Sequence, residues 1–441
     1  MRQYQITGST ADGIVGSIER SIRDGGLKAD ERLPPIRELA SALGVSPGTV
    51  ATAYRRLRER GLVVGGGRRG TMVSPRPPLS RASVPPLAPG VRDLRIGVPD
   101  PALLPDLGPV LSSVQVNDAL VRRGGGNDPE LLQAAAARFA ADGIDASHMA
   151  VVGGALDGIE RLLATHVTRG DLVAVEDPAY PPILDLLAAL GATLVPVAVD
   201  DEGMRPDALR DALSGRPSAI VIVPRGQNPT GAVTSLERAA ALRALLRRQE
   251  GLLVVEDDHA HDIIDAPLHT LTSDMRRWAT IRSVSKSLNP DLRLAVIAAD
   301  AVTVSRLEGR QAVGTGWVST ILQRAVISLW SDPATADMVS RARETYRTRR
   351  EALTTALAER GIAAHGSSGL NVWVPVRDEA ATVASLLDAG WAVHAGEQFR
   401  IRSGPGMRIT TATLLPGEAV EVADAIAMSS RAAASGAHRM Y

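Results

Sequence analysis

Residues 283–293 read SVSKSLNPDLR, and the lysine in them stands out. Of the 49 Lys plus Arg in this 441-residue chain only two are lysine, Lys28 and Lys286. Wherever else a cation is needed, arginine supplies it. A guanidinium stays protonated, whereas an amine can lose its proton and attack a carbonyl. Lys286 therefore reads as a candidate Schiff-base lysine, with a chance surface lysine as the plain alternative. Other groups suited to chemistry follow short apolar runs. Asp257, Asp258 and His259 come after LLVVE, Asn228 lies in RGQNPTGA after SAIVIVP, and Arg293 lies seven residues beyond Lys286. Tyr180, one of five tyrosines, follows DLVAVED, and GGALDGIERLL after MAVV places the amides of Gly154 and Ala155 at a helix start, where an anion is favoured. The run DDHAHD admits another reading, a metal site, if His259 and His261 share a strand face.

The elements that must hold these groups are legible as alternation. MAVVG, DLVAVED, ATLVPVAV, SAIVIVP, LLVVEDD, ATIRSVS and LRLAVIAA are Val/Ile/Leu-rich runs separated by helical patterns. That predicts an α/β doubly wound, mostly parallel sheet, with the ligand beyond the carboxyl ends of its strands. From about residue 341 the pattern becomes a smaller α+β part, with strands NVWVPV, WAVHAG and MRITTAT.

A different unit precedes it. Ile14, Ile18 and Ile22 form one helix face; Ile36, Leu39, Ala40 and Leu43 form a second, ended by Gly44. Ser46 and Pro47 open a third helix with Val50, Tyr54 and Leu57 inward. LVVGGGRRGTMV then reads as a hairpin with Arg68 and Arg69 at its tip. Residues 1–74 hold twelve Lys/Arg against seven Asp/Glu, although the whole chain has no net charge. A basic front end suggests nucleic acid. Residues 75–92, PRPPLSRASVPPLAPGVR, are expected to be an extended linker of up to ~55 Å at ~3.1 Å per residue.

Composition narrows the classes. No cysteine means no disulfide, thiolate metal site or cysteine nucleophile. No apolar run approaches the ~20 residues of a membrane span, and no long apolar N-terminal region suggests secretion. A cytoplasmic location is expected.

The front pattern G-x-L-P-x-R-x-L-A…L-G-V-S…T-V…A-Y-x-x-L…G-L…G-T-x-V resembles the GntR-type winged helix over about residues 10–74. The resemblance implies double-stranded DNA as partner, with Arg37, Ser46, Thr49, Arg68 and Arg69 as contacts. Pro47 and Ala51 stand where many relatives have arginine, so bidentate base readout is expected to be thin and phosphate contacts correspondingly important. From about residue 93 to 430, N-P-T-G, D-x-H and S-x-S-K…R resemble the fold-type I pyridoxal-phosphate proteins of the aminotransferase superfamily. That implies a Schiff base at Lys286, Asp257 on the pyridine nitrogen, and Asn228 and His259 on the phenolate oxygen. It also implies Tyr180 stacked on the ring, and the phosphate held by Gly154, Ala155, Ser283, Ser285 and Arg293. Arg408 matches the arginine that grips a substrate carboxylate.

Winged helix, linker and aminotransferase-like body together resemble the MocR subfamily of GntR-type regulators, the GabR-like group. The expected division is 1–74, 75–92 and 93–441, the last split near 340 into a large and a small part. The implied function is a transcription regulator that senses an amino compound through Schiff-base exchange at Lys286, as a head-to-tail homodimer. Two alternatives remain: pyridoxal phosphate is itself the effector, reporting vitamin B6, or the chain is a working class I/II aminotransferase with an appended DNA module. Two departures bear on turnover. Position 259 is His where the family commonly has E-D-D-Y, and no tyrosine precedes Asn127 in GGGNDPELL. Losing both phenols leads to the expectation of little turnover.

Overall fold

The computed structural model describes residues 6–28, 31–59, 62–65, 70–73, 86–115 and 126–437. The chain divides into two units. In the N-terminal one, the Thr10 hydroxyl caps the helix Ala11–Arg23 by accepting from the Gly13 amide at 3.1 Å. Ile14 and Ile18 are fully buried, and Ile22 packs at the edge of the same core. The helix Ile36–Leu43 ends at Gly44, whose φ of 66° suits glycine. Leu39 and Ala40 are buried as expected, but Ile36 is 36% exposed. As the first helical residue it has no preceding turn over which its side chain could lie.

The Ser46 hydroxyl accepts from the Thr49 amide at 3.1 Å, opening the helix Pro47–Glu59. On that helix Val50, Tyr54 and Leu57 are buried. The Tyr54 hydroxyl donates to the Pro34 carbonyl at 2.7 Å, tying this helix to the start of the one before it. Strands β1 (Val63–Gly65) and β2 (Thr71–Val73) pair antiparallel with Val63 opposite Val73, which makes the wing. Its tip, with Arg68 and Arg69, and residues 75–85 of the proline-rich stretch lie outside the described residues.

The second unit begins with β3 (Arg92–Asp93). Its main sheet uses β4 (Met149–Val152), β5 (Leu172–Asp177), β6 (Thr193–Asp200), β7 (Gly203–Met204), β8 (Ala219–Ile222), β9 (Leu253–Asp257), β10 (Trp278–Ser283) and β11 (Ala295–Ala299). The order is β4-β11-β10-β9-β8-β5-β6-β7. Strands β5, β8, β9 and β10 pair in parallel, while β11 runs antiparallel between β10 and β4. All seven apolar runs read from the sequence are strands of this sheet. Every residue of β8, β9, β10 and β11 is buried, as helix-covered parallel sheets require. The pairing directions bring Val152, Asp177, Ile222, Asp257 and Ser283, the last residues of their strands, to one edge, where β11 starts.

The smaller part is a sheet of β12 (Asn371–Pro375), β15 (Gly406–Thr410) and β14 (His394–Ala395), backed by the helices Pro333–Glu359, Glu379–Asp388 and Pro416–Ala437. Strand β13 (Trp391–Ala392) pairs in parallel with β3, and Leu94 enters the small part's core. Arg92, read from sequence as the last linker residue, is thus a strand residue, and its guanidinium pairs with Glu418 at 2.7 Å. A two-residue strand has too little alternation to be seen in a sequence.

Candidate functional site

Lys286 lies just past β10. Its Nζ donates to the Gly97 carbonyl, and burial followed by the nearby Arg408 charge lowers its pKa to about 8, against the opposing pull of Asp257. Asp257 ends β9. Burial pushes its carboxyl up from the usual range, and His259 opposes that shift. Asp257 Oδ1 is buried without a hydrogen bond among the described residues, and so is His259 Nδ1, which stands 3.7 Å from Asp257 Oδ2. A buried carboxylate oxygen without a donor is costly unless a ligand supplies one.

Arg408 comes from β15. Its guanidinium donates to Asn228 Oδ1 at 3.1 Å and to the Arg95 carbonyl, and it rests 5.0 Å above the Phe399 ring. Burial drops its pKa to about 10, which Tyr180 partly offsets. Burial raises the Tyr180 phenol, which also feels the charges of Arg408, Asp257 and Arg293.

At the far end, Gly154 heads the helix Ala155–Ala164 with φ 109°, and a Cβ there would come within 2.9 Å of Arg293 Nη2. Only glycine fits both demands. Arg293 is exposed and donates to the Gly153 carbonyl at 3.3 Å. Ser283 Oγ accepts from the Ser285 amide at 3.2 Å and lies 3.1 Å from its hydroxyl, folding the SVS turn that leads into Lys286.

The DDHAHD run does not continue the strand. Strand β9 stops at Asp257, and residues 261–263 form a 3-10 turn, so His259 and His261 do not share a strand face. His259 faces Asp257, while His261 Nε2 lies 3.2 Å from Asp262 Oδ1. The premise of the metal reading therefore fails. Asp258 is fully buried and serves the scaffold instead. It takes two bonds from Arg225, at 2.8 and 2.9 Å, and one from Arg282 at 3.0 Å. Arginine's fork suits such a buried carboxylate, and these bonds hold its carboxyl below the usual range despite burial. Asn127, where a preceding tyrosine is missing, accepts from the Val151 amide at 3.2 Å and donates to Glu308 at 3.1 Å. It steadies β4.

Sequence reading missed Asp177. This buried residue ends β5 and accepts from the amides of Ile401, Arg402 and Ser403 and from the Ser403 hydroxyl, at 2.7–2.9 Å. The Ala179 amide also donates to the Phe399 carbonyl at 2.8 Å. The Tyr180 loop is therefore fastened to the loop carrying Phe399, on which Arg408 rests. The only local signal is an acid before a proline; its partners lie more than 220 residues away.

Among the DNA candidates, Arg37 and Ser46 are exposed and Thr49 is half-buried. The Ser46 and Thr49 hydroxyls bond each other at 2.9 Å, so the helix start already engages both.

Residues 10–73 match the bacterial regulatory proteins of the gntR family, and residues 121–426 match aminotransferase class I and II. The chain belongs to the MocR-type regulators. This MocR-type chain is 40% identical to the vitamin B6 salvage pathway transcriptional repressor PtsJ of Salmonella typhimurium, over 94% of this chain and 96% of that one. It is 26% identical to the pyridoxine biosynthesis transcriptional regulator PdxR of Corynebacterium glutamicum, over 78% of each. Its fold matches a kynurenine aminotransferase of Pyrococcus horikoshii with a TM-score of 0.69 at 20% identity, covering 78% of this chain and 91% of that one. The regulator's cofactor is pyridoxal 5'-phosphate. The residues present fit it: an acceptor without a donor at Asp257, a depressed amine at Lys286, and a glycine turn beside Arg293.

Proposed function

We propose that this MocR-type regulator reports vitamin B6 supply, with pyridoxal phosphate as the ligand that changes its action on DNA. The observation carrying this is the 40% identity, over nearly the whole of both chains, to a repressor named for vitamin B6 salvage. When bound, pyridoxal phosphate supplies an aldehyde open to amines and a ring that withdraws electrons.

The chain's own residues do the rest. Burial and the nearby Arg408 charge lower the Lys286 pKa to about 8, so this amine gives up its proton more readily than an exposed lysine does. Asp257 would accept from the protonated ring nitrogen, a donor that its unpartnered oxygen lacks among the described residues. His259 and the Asn228 amide would hold the phenolate oxygen, and Tyr180 would pack on the ring. Gly154, Ala155, Ser283, Ser285 and Arg293 would hold the phosphate.

A second reading rests on Arg408. A buried guanidinium held by Asn228 and a backbone carbonyl suits a carboxylate, so an amino acid entering at Lys286 is the alternative effector. Sustained transamination is not part of either reading, since His259 replaces a phenol and none precedes Asn127. The regulator acts on DNA as a head-to-tail homodimer in the cytoplasm, with the DNA-binding unit 1–74 joined through 75–91 to a body that starts at Arg92.

The test is operator binding. Genomic fragments retained by the cofactor-free protein are titrated in the presence of pyridoxal phosphate, then of amino acids with the cofactor saturating. A shift of at least fivefold in DNA affinity on adding pyridoxal phosphate alone is expected. No shift until an amino acid is added, abolished by Arg408→Met, would replace the first reading with the second.

A further inference from the structure

The first turn of the helix Ala155–Ala164 carries an acid the cofactor has no use for. Asp157, in the first turn of that helix, accepts from the Gly153 amide at 2.8 Å. Arg161 grips it in turn, Nε lying 2.9 Å from each carboxylate oxygen and Nη2 lying 2.8 Å from Oδ1. One amide at this helix start is thereby spent on an internal anion. Residues 153–155 are Gly-Gly-Ala and offer no side-chain donor. On the other side stands Arg293, exposed, with Nη2 on the Gly153 carbonyl. A dianionic phosphate at Gly154 and Ala155 would thus lie close to the Asp157 carboxylate as well as to Arg293 and the Ser283 and Ser285 hydroxyls. A capping acid stabilises a helix start when nothing else binds there, but it repels an anion that does.

We propose that Asp157 sets the affinity for the phosphate of pyridoxal phosphate by opposing it, with Arg161 limiting the opposition. The inference rests on the cofactor reading above. It deepens that reading, because a sensor must release its ligand when supply falls, and a site built for maximal phosphate affinity would stay filled. Asp157 acts through charge across the Gly153–Gly154 turn. It is a specificity-determining residue for phosphorylated over unphosphorylated aldehyde, and its sign is opposite to that of a supporting contact.

Asp157→Asn tests it, because the amide oxygen can still accept from Gly153 while the charge is gone. Cofactor-free wild type and variant are titrated with pyridoxal phosphate and with pyridoxal, following the visible band. The variant is expected to bind pyridoxal phosphate about three- to tenfold more tightly, and pyridoxal unchanged within about twofold; the gain should shrink at about 1 M salt. Arg161→Gln leaves the acid uncompensated and should weaken pyridoxal phosphate alone. Unchanged or weaker pyridoxal phosphate binding by Asp157→Asn would overturn the proposal, as would equal tightening of both aldehydes. If wild type forms no band with either aldehyde, the cofactor reading fails first and this one with it.

Discussion

Replacing Lys286 by Met should stabilise the cofactor-free protein at neutral pH. Burial beside Arg408 lowers the Lys286 pKa to about 8, from about 10.4 in an unfolded chain. Below pH 8 both states hold the proton, and the folded state bears the full cost of a charged amine in that place. That cost is about 3 kcal/mol at 1.36 kcal/mol per pKa unit. Partial solvent access at Lys286 reduces it, and the methionine forgoes the bond to Gly97, worth about 1 kcal/mol. A net gain of about 1–2 kcal/mol at pH 7 remains.

The pH dependence carries the sign. Between pH 8 and about 10.4 the unfolded chain binds more protons than the folded one, so wild-type stability rises with pH. Methionine has no such term, and its advantage fades across that window. Urea unfolding of cofactor-free wild type and Lys286→Met at several pH values from 7 to 10, read by tryptophan fluorescence, measures the difference directly. Equal stability at pH 7 would refute the reasoning, and so would an advantage constant to pH 10. The first would mean that the amine is not desolvated, the second that the gain comes from packing alone.

Asp257→Asn presents an amide to the ring nitrogen and should weaken pyridoxal phosphate binding at least tenfold, because a charge-assisted bond of about 1.5–3 kcal/mol is lost; absorbance titration checks it. Asp177→Asn removes the charge and turns one of two oxygens, each accepting two bonds, into a donor that faces at least one backbone amide. It should cost about 3–5 kcal/mol in urea unfolding and lower the affinity of carboxylate ligands for Arg408, while Ser403→Ala, which removes one hydroxyl bond, should cost about 1 kcal/mol. Arg68→Ala with Arg69→Ala should weaken binding to all DNA and reduce the salt slope by about one to two units; an unchanged slope in a salt titration would remove the wing from the phosphate contacts. Lys286→Arg should leave no borohydride-reducible pyridoxyl adduct at position 286 by mass spectrometry, while basal DNA binding persists.

Seven strands, both helices of the helix-turn-helix and the lysine were legible in the chain because each rests on local rules. Apolar runs separated by helical patterns dictate buried parallel strands, and Gly44 followed by Ser46-Pro47 dictates a stop and a start. Lys286 could be singled out because the chain avoids lysine almost everywhere else. Spacing alone placed Asp257, Asn228 and Arg293 after strands, and parallel pairing then brought the strand ends to one edge. What sequence could not show is which polar groups meet once that edge is assembled. Asp257 and Asp258 are neighbours with the same side chain, yet one is left with a lone oxygen facing the site and the other is locked between Arg225 and Arg282. The strand ends between them, and their partners come from elements far along the chain. Asp177 is fastened to residues 401–403, Arg408 reaches Asn228, and Arg92 joins a strand near residue 391. Hydrophobic periodicity is written residue by residue, whereas a hydrogen bond between groups 180 or 224 residues apart exists only after the chain has folded, so tertiary structure alone decided those pairs.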